Sequence, residues 1–354
     1  MPKKIRVLIV DDSALMRAVL KRGLEKDPGL EVIGAAKDAY EARDLLVQHR
    51  PDVMTLDVEM PKLDGVTFLK KLMAVIPTPT VMVSSLTERG TRVAVEALEA
   101  GAVDVVAKPK GAGMSFGGDE MKELIDRVKK ASKARLIQRI NLPANKEKLQ
   151  SSSDPSNSLI VIGSSTGGVA ALAEVLPMFP VECPPIVIVQ HMPAGFTAQF
   201  AKRLNSLCEI EVVEGRDGDL CLPGRAIIAP GGTHHTTVVR NGSHFAISLI
   251  EHVSGERHRP SVDVLFKSTA DAAGPRAVGC ILTGMGKDGS RGLLQMRQQG
   301  ATTLAQDAET SVIDGMPSAA WKNGAAMSRV PLSLVASALL TSAAIPDSLE
   351  SKEK

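Results

Sequence analysis

Two sets of side chains stand out by type and spacing. In the first half, Asp11 and Asp12 follow the apolar run "IRVLIV" and Asp57 closes "DVMTLD", while Ser84 and Lys108 end two further apolar runs. Three carboxylates brought together repel one another, and a small hard cation such as Mg²⁺ relieves that while keeping an open position for a phosphoryl oxygen. A hydroxyl at Ser84 and an ammonium at Lys108, just before Pro109, would meet the phosphoryl oxygens. In the second half, "IGSSTGG" fits the G-x-S-x-G pattern at Gly163 to Gly167 and presents Ser165 on a sharp bend. Taken alone that turn has three readings: a nucleophile's seat, a phosphate cradle or an idle loop. "PPIVIVQH" then ends in His191, and "GMGKDG" holds Asp288 as its only acid. A hydroxyl, an imidazole and a carboxylate are the parts of an acyl-transfer triad, in which the Asp takes Nδ1–H of the ring and Nε2 takes the serine proton. Asp288 has a second reading, as the N-cap of a helix starting near Gly289.

Such groups meet only if the elements carrying them are neighbours. "IRVLIV" (5–10), "EVIGAA" (31–36), "DVMTLD" (52–57), "TVMVSS" (80–85) and "VDVVAK" (103–108) alternate with helical periodicity. That pattern predicts five parallel strands covered by helices on both faces, a flavodoxin-like doubly wound α/β domain whose ligand edge lies at the carboxyl ends of the strands. A helix with Asp119 as its N-cap and Met121, Leu124, Ile125 and Val128 on one face is expected to run out near Ile140. The serine- and proline-rich stretch that follows reads as a linker. From "LIVIG" (159–163) the alternation restarts and predicts a second, mostly parallel α/β domain with a β-hairpin about Asn241-Gly242 mixed into its sheet. The expected division is residues 1–130, a linker over 131–157, a second domain over 158–345 and a disordered tail over 346–354.

At 354 residues and +2 net charge the chain is a globular protein in two parts. Its basic excess, nine basic against five acidic residues over 113–150, lies in the helix-like connector and not on a folded face, which argues against nucleic-acid binding. The four cysteines have neither zinc-finger nor C-x-x-C spacing. No apolar run approaches the roughly 18 residues of a membrane span. A cytoplasmic protein without membrane insertion is expected.

"VDDS" at 10–13, "LDVEMPKLDG" at 56–65, "SS" at 84–85 and "KP" at 108–109 resemble the receiver domains of two-component response regulators. The resemblance implies that Asp57 accepts phosphate from a chemotaxis histidine kinase, that Asp11 and Asp12 hold Mg²⁺ with the backbone carbonyl of Glu59, and that Ser84 and Lys108 read the phosphoryl group. Many receivers carry an aromatic switch residue three places before the lysine, where this chain has Val105. "IGSSTGG", "QHMPAGFT", "PGGTHHT", "HRPSVDVLF" and "LTGMGKDG" together resemble the catalytic domain of the chemotaxis protein-glutamate methylesterase (CheB) family. That resemblance implies Ser165 as nucleophile, His191 as base, Asp288 as orienter and the Met285 N–H as oxyanion donor. The residue before the nucleophile, often Ala in such motifs, is Ser164.

The implied activity is a phosphorylation-activated methylesterase and glutamine deamidase acting on methyl-accepting chemotaxis receptors, with no cofactor in the catalytic domain. A hydrolase for a soluble ester shares the triad, and a regulator binding nucleotide or DNA is a third reading, against which stands the lack of a helix-turn-helix pattern or phosphate-loop lysine. His234 and His235 are either substrate contacts or solvent-exposed strand starts. Arg257, His258 and Arg259 are either a substrate-facing basic patch or a solvated turn.

Overall fold

The computed structural model describes residues 3–108, 117–136, 158–251 and 259–344. The chain divides into two units, Met1–Leu136 and Ile137–Lys354. Much of the expected linker (137–157), the tail from 346, Pro109, Arg257 and His258 lie outside the described residues.

The first unit alternates β1 (Ile5–Val10), α1 (Ala14–Leu24), β2 (Leu30–Ala36), α2 (Ala39–His49), β3 (Val53–Asp57), α3 (Gly65–Val75), β4 (Thr80–Ser84), α4 (Glu88–Glu99), β5 (Asp104–Ala107) and α5 (Gly118–Ala131). The strands pair in parallel in the order β2-β1-β3-β4-β5. Val7 to Val10 and Val53 to Leu56 are buried, as strands covered on both faces require. α5 starts and ends elsewhere than its sequence predicts. Gly117 is the N-cap, and Glu120 reaches back to accept its N–H at 2.9 Å, so Asp119 is a first-turn residue. The helix stops at Ala131, where the ladder tightens to i→i−3 bonds: Lys133 N–H donates to the Lys130 carbonyl at 3.1 Å and Ala134 N–H to that of Ala131 at 2.9 Å, while the Ser132 hydroxyl takes the Lys129 carbonyl.

The second unit runs β6 (Leu159–Ser164), α6 (Gly168–Val175), β7 (Ile186–Gln190), α7 (Phe196–Asn205), β8 (Glu211–Glu214), β9 (Leu220–Cys221), β10 (Arg225–Ile228), β11 (His235–Asn241), β12 (His244–Ile250) and α8 (Val262–Ala273). It continues through β13 (Ala277–Ile281), α9 (Ser290–Gln298), β14 (Thr302–Gln306), α10 (Met316–Lys322), β15 (Ser328–Val330) and α11 (Val335–Ala343). Seven strands form a wholly parallel sheet in the order β15-β14-β13-β6-β7-β10-β8. The hairpin forms as expected, with Asn241 paired to His244, but it is not mixed into that sheet. It joins β9 in a separate three-stranded antiparallel sheet, because its apolar residues Val238, Phe245 and Ile247 pack into the same core as Leu265 and Phe266 of α8. Packing a face there buries more apolar surface than extending an edge would.

β6 is the pivot of the large sheet, since the chain first builds outward to β7 and later returns on its other side as β13. Such a reversal opens a crevice at the carboxyl ends of the strands, where parallel sheets place their ligands.

Candidate active site

Ser165, His191 and Asp288 all follow the carboxyl ends of β6, β7 and β13, and β6 lies between the other two. The Ser165 turn is fixed through its backbone: Ser165 N–H donates to the Thr283 carbonyl at 3.1 Å and the Gly168 N–H to the Ser165 carbonyl at 2.8 Å. Gly167 caps α6 at φ 81°, a left-handed conformation that favours glycine.

Two serines compete for the nucleophile's role, and burial separates them. Ser164 is 0% exposed and its hydroxyl donates to Gln190 Oε1 at 2.7 Å. Ser165 is half-buried, and its hydroxyl makes no hydrogen bond to a described residue. Only Ser165 has a hydroxyl that a substrate can reach.

His191 Nε2 lies 2.8 Å from Asp288 Oδ2, with both side chains about nine-tenths buried (10% and 9% exposed). The ring is thus turned opposite to the expectation that Nδ1 faces the Asp. His191 N–H is tied to the Ser164 carbonyl at 3.0 Å, which anchors the backbone beside the Ser165 turn. From that anchor the far nitrogen, Nε2, spans the distance to Asp288, and the near nitrogen, Nδ1, is left on the backbone side.

Asp288 does cap a helix, though not the one that follows it. Its Oδ2 also accepts Val262 N–H at 2.9 Å, while Oδ1 accepts Asp263 N–H and the Ser261 hydroxyl, each at 2.9 Å. The carboxylate therefore sits on the N-terminus of α8, a favourable place for an anion. Burial by itself would raise its pKa, but the hydrogen bond and charge of His191 and the two helix N–H groups hold it well below the usual carboxylate range. Asp263 returns the arrangement, its carboxylate accepting Arg291 N–H (3.0 Å), Arg291 Nε–H (2.9 Å) and Gly292 N–H (2.8 Å) at the start of α9. Each acid thus pins the helix next to the other.

The loop after β13 brings Met285 to the same edge. Gly284 presses on Ser165 so closely that a Cβ there would lie 2.9 Å from Ser165 Cβ. The Gly284 carbonyl accepts N–H bonds from Gly315 (3.0 Å) and Met316 (2.8 Å). In a trans peptide the C=O and N–H point opposite ways, so the Met285 N–H of that unit faces away from α10, and no described residue accepts it. Bonds to the carbonyl also polarise the N–H.

His235 is fully buried, and its Nδ1 accepts Ser261 N–H at 3.2 Å, so it braces the cap residue of α8. That removes the solvent-exposed reading for His235. His234 is half-buried and its Nδ1 lies 2.8 Å from Thr233 Oγ1. Arg259 contributes a carbonyl that accepts Gly232 N–H at 3.4 Å. Ser261, Asp263 and Gln190 were not singled out by type and spacing, and His235 was singled out without its bracing role. Only Ser261 carried a local signal, a serine ahead of an apolar helical run.

In the first unit, ligand oxygens of Asp11, Asp12 and Asp57 lie within 4.8 Å of one another, a donor set that suits a hard divalent cation such as Mg²⁺. Lys108 Nζ is 2.7 Å from Asp57 Oδ2 and 3.1 Å from Asp11 Oδ2. Burial pushes the Asp57 carboxyl up to about 6, against the bond and charge of Lys108, and the neighbouring Asp11 adds to the rise. Glu59 N–H donates to Asp57 Oδ1 at 3.3 Å, placing that backbone at the cluster. Ser84 is buried with its hydroxyl on the Gly90 carbonyl of α4 at 2.9 Å, so it must leave that bond to meet a phosphoryl oxygen. Val105 is buried in β5. Among the described residues no helix is long and apolar enough to cross a membrane.

A family model described as CheB methylesterase matches residues 160–339, and one described as response regulator receiver domain matches residues 7–114. The chain is 50% identical over 343 residues to a Bordetella bronchiseptica protein named protein-glutamate methylesterase/protein-glutamine glutaminase, covering 96% of this chain and 97% of that protein. A Sulfurimonas denitrificans protein of the same name is 51% identical over 340 residues, covering 93% and 96%. The crystal structure of the Thermotoga maritima CheB methylesterase catalytic domain matches with a TM-score of 0.51 at 37% identity, covering 52% of this chain and 98% of that chain.

Proposed function

The chain belongs to the CheB methylesterase family, with a receiver domain ahead of the catalytic domain, and from that premise we propose that it removes methyl groups from γ-glutamyl methyl esters of methyl-accepting chemotaxis receptors and deamidates receptor glutamines. The observation that carries this reading is the 2.8 Å contact of His191 with a buried, helix-capping Asp288 at the strand edge that also carries the half-buried Ser165.

Asp288 keeps the imidazole proton on Nε2, which makes Nδ1 the basic nitrogen. Nδ1 takes the Ser165 proton as Oγ attacks the γ-carbonyl carbon, a contact that closes when the ester enters. The oxygen that gains the negative charge is met by the Met285 N–H and by free N–H groups at the start of α6. His191 then returns the proton to the leaving methoxide, releasing methanol. Water, activated by the same nitrogen, attacks the acyl-enzyme to free the glutamate. A glutamine side chain passes through the same γ-glutamyl acyl-enzyme and releases ammonia.

The receiver, residues 1–130, regulates the catalytic domain, residues 158–345. Asp57 is the phosphate acceptor from a chemotaxis histidine kinase. Asp11, Asp12, Asp57 and the Glu59 carbonyl would hold Mg²⁺, which supplies charge neutralisation during phosphoryl transfer. Lys108 is placed to pair with the phosphoryl group, and Ser84 would transmit its arrival by exchanging the Gly90 carbonyl for a phosphoryl oxygen.

Full chain incubated with methyl-labelled receptor membranes should release labelled methanol, faster when a small phosphodonor is present and without that stimulation in Asp57→Asn. Cleavage of small esters with no release from receptors would overturn the substrate assignment.

The raised Asp57 carboxyl gives a pH prediction. A metal entering the cluster has to displace the proton that Asp57 binds below about pH 6. Mg²⁺ affinity of the full chain, measured by calorimetry, should therefore weaken as pH falls through that value. An affinity unchanged down to about pH 5 would count against Asp57 as a ligand.

A further inference from the structure

Gln190 closes β7 immediately before the base and is 2% exposed. Its amide makes more than the contact that sequesters Ser164. Nε2 donates to the carbonyl of Ser165 at 2.9 Å and to that of His191 at 3.1 Å, while Oε1 accepts the Ser164 hydroxyl at 2.7 Å. One NH₂ group thus bridges the main chain of the nucleophile to the main chain of the base.

We infer that Ser164 and Gln190 act as one positioning pair, in which the buried Ser164 hydroxyl anchors the Gln190 amide through its Oε1 and the amide holds Ser165 and His191 in register for proton transfer. This rests on the triad reading above.

The chemistry at the site selects these residue types. Two carbonyls need two N–H donors on one head group, and only a primary amide offers those together with an acceptor. An amide can be turned end for end, and the reversed orientation would aim its oxygen at both carbonyls. Those acceptor-only carbonyls fix which way the amide faces, and the buried Ser164 hydroxyl, donating to Oε1, anchors it there. The neighbourhood is built around the pair, since a Cβ on Gly168 would lie 2.1 Å from Gln190 Oε1 and 2.8 Å from Ser164 Oγ. Misplacement of a catalytic group by about an ångström costs as much as about 10²-fold in rate, so holding two backbones together is a catalytic contribution even without touching substrate.

The test uses the full chain and two readouts: labelling of Ser165 by a small phosphonofluoridate, which needs no receptor, and kcat and KM on methylated receptors. Gln190→Met should lower the labelling rate and kcat about 10- to 100-fold with KM within about threefold. Ser164→Ala, which loses a single hydrogen bond, should lower them about three- to tenfold. The double variant should be no slower than Gln190→Met alone, because the serine acts only through the amide. Parent labelling rates in the single variants, or effects that multiply in the double, would overturn the pair. A parent protein that the probe does not label would overturn the triad reading itself. Should Gln190→Met fail to fold, Ser164→Ala decides, since its unchanged kcat would remove the serine's role.

Discussion

Ser165→Ala lowers kcat for methanol release by at least about 10⁴-fold, the loss expected when a triad nucleophile is removed and only substrate binding and oxyanion stabilisation persist. The fold should survive the change. The bonds that shape the turn, Ser165 N–H to Thr283, Gly168 N–H to Ser165 and Gln190 to Ser165, all use the main chain. Thermal unfolding should therefore match the parent, and receptor affinity should be retained. Ser164 cannot substitute, because its hydroxyl is buried and committed to Gln190. Covalent labelling by the phosphonofluoridate should vanish together with turnover. Retained turnover in Ser165→Ala, with loss in Ser164→Ala, would move the nucleophile to the neighbouring serine and require that turn to open.

The positions of these groups were legible because they obey strand-end logic. Ser165, His191 and Asp288 each follow an apolar run, and parallel strands bring such ends to one edge. In the receiver half the same logic brought Asp11, Asp12, Asp57 and Lys108 together. What stayed hidden depends on partners distant in sequence. Asp288 looked like a cap for the helix after it, yet it caps α8, which begins 26 residues earlier. No local pattern marks that, because the two helices meet only through packing. The orientation of the His191 ring follows from where its backbone is tied, which spacing does not encode. His234 and His235 are adjacent in sequence, but β11 begins at His235, whose ring is buried against Ser261, while His234 precedes the strand and stays partly exposed. The hairpin was visible in Asn241-Gly242, whereas its choice of α8's core over the edge of the large sheet was set by tertiary burial.

Asp288→Asn is the second large effect, and it separates orientation from stability. Four donors converge on the carboxylate: His191 Nε2–H and Val262 N–H on Oδ2, and Asp263 N–H and the Ser261 hydroxyl on Oδ1. An asparagine has one oxygen, so its NH₂ must face one pair of donors. If it faces Oδ1's partners, the start of α8 loses its anion and two bonds. If it faces His191, Nε2 has to become an acceptor and the proton moves to Nδ1, the atom that must be basic. The first orientation keeps the Nε2–H tautomer but removes the negative charge that stabilises the imidazolium, whereas the second, which keeps the acceptor of Asp263 and Ser261, imposes the wrong tautomer, and a wrong tautomer of this kind costs about 10⁴-fold in kcat. The stability sign follows from the depressed pKa of Asp288. A carboxyl that is more acidic folded than unfolded stabilises the protein at and above the ordinary carboxylate range, and that contribution is lost as pH falls below the range toward the folded-state pKa. The melting difference between parent and Asp288→Asn should accordingly be largest near neutral pH and shrink in acid, while the kcat deficit at neutral pH far exceeds what any unfolded fraction explains. A variant within tenfold of the parent in kcat, with only its melting lowered, would reduce Asp288 to a helix cap and leave His191 without an orienter.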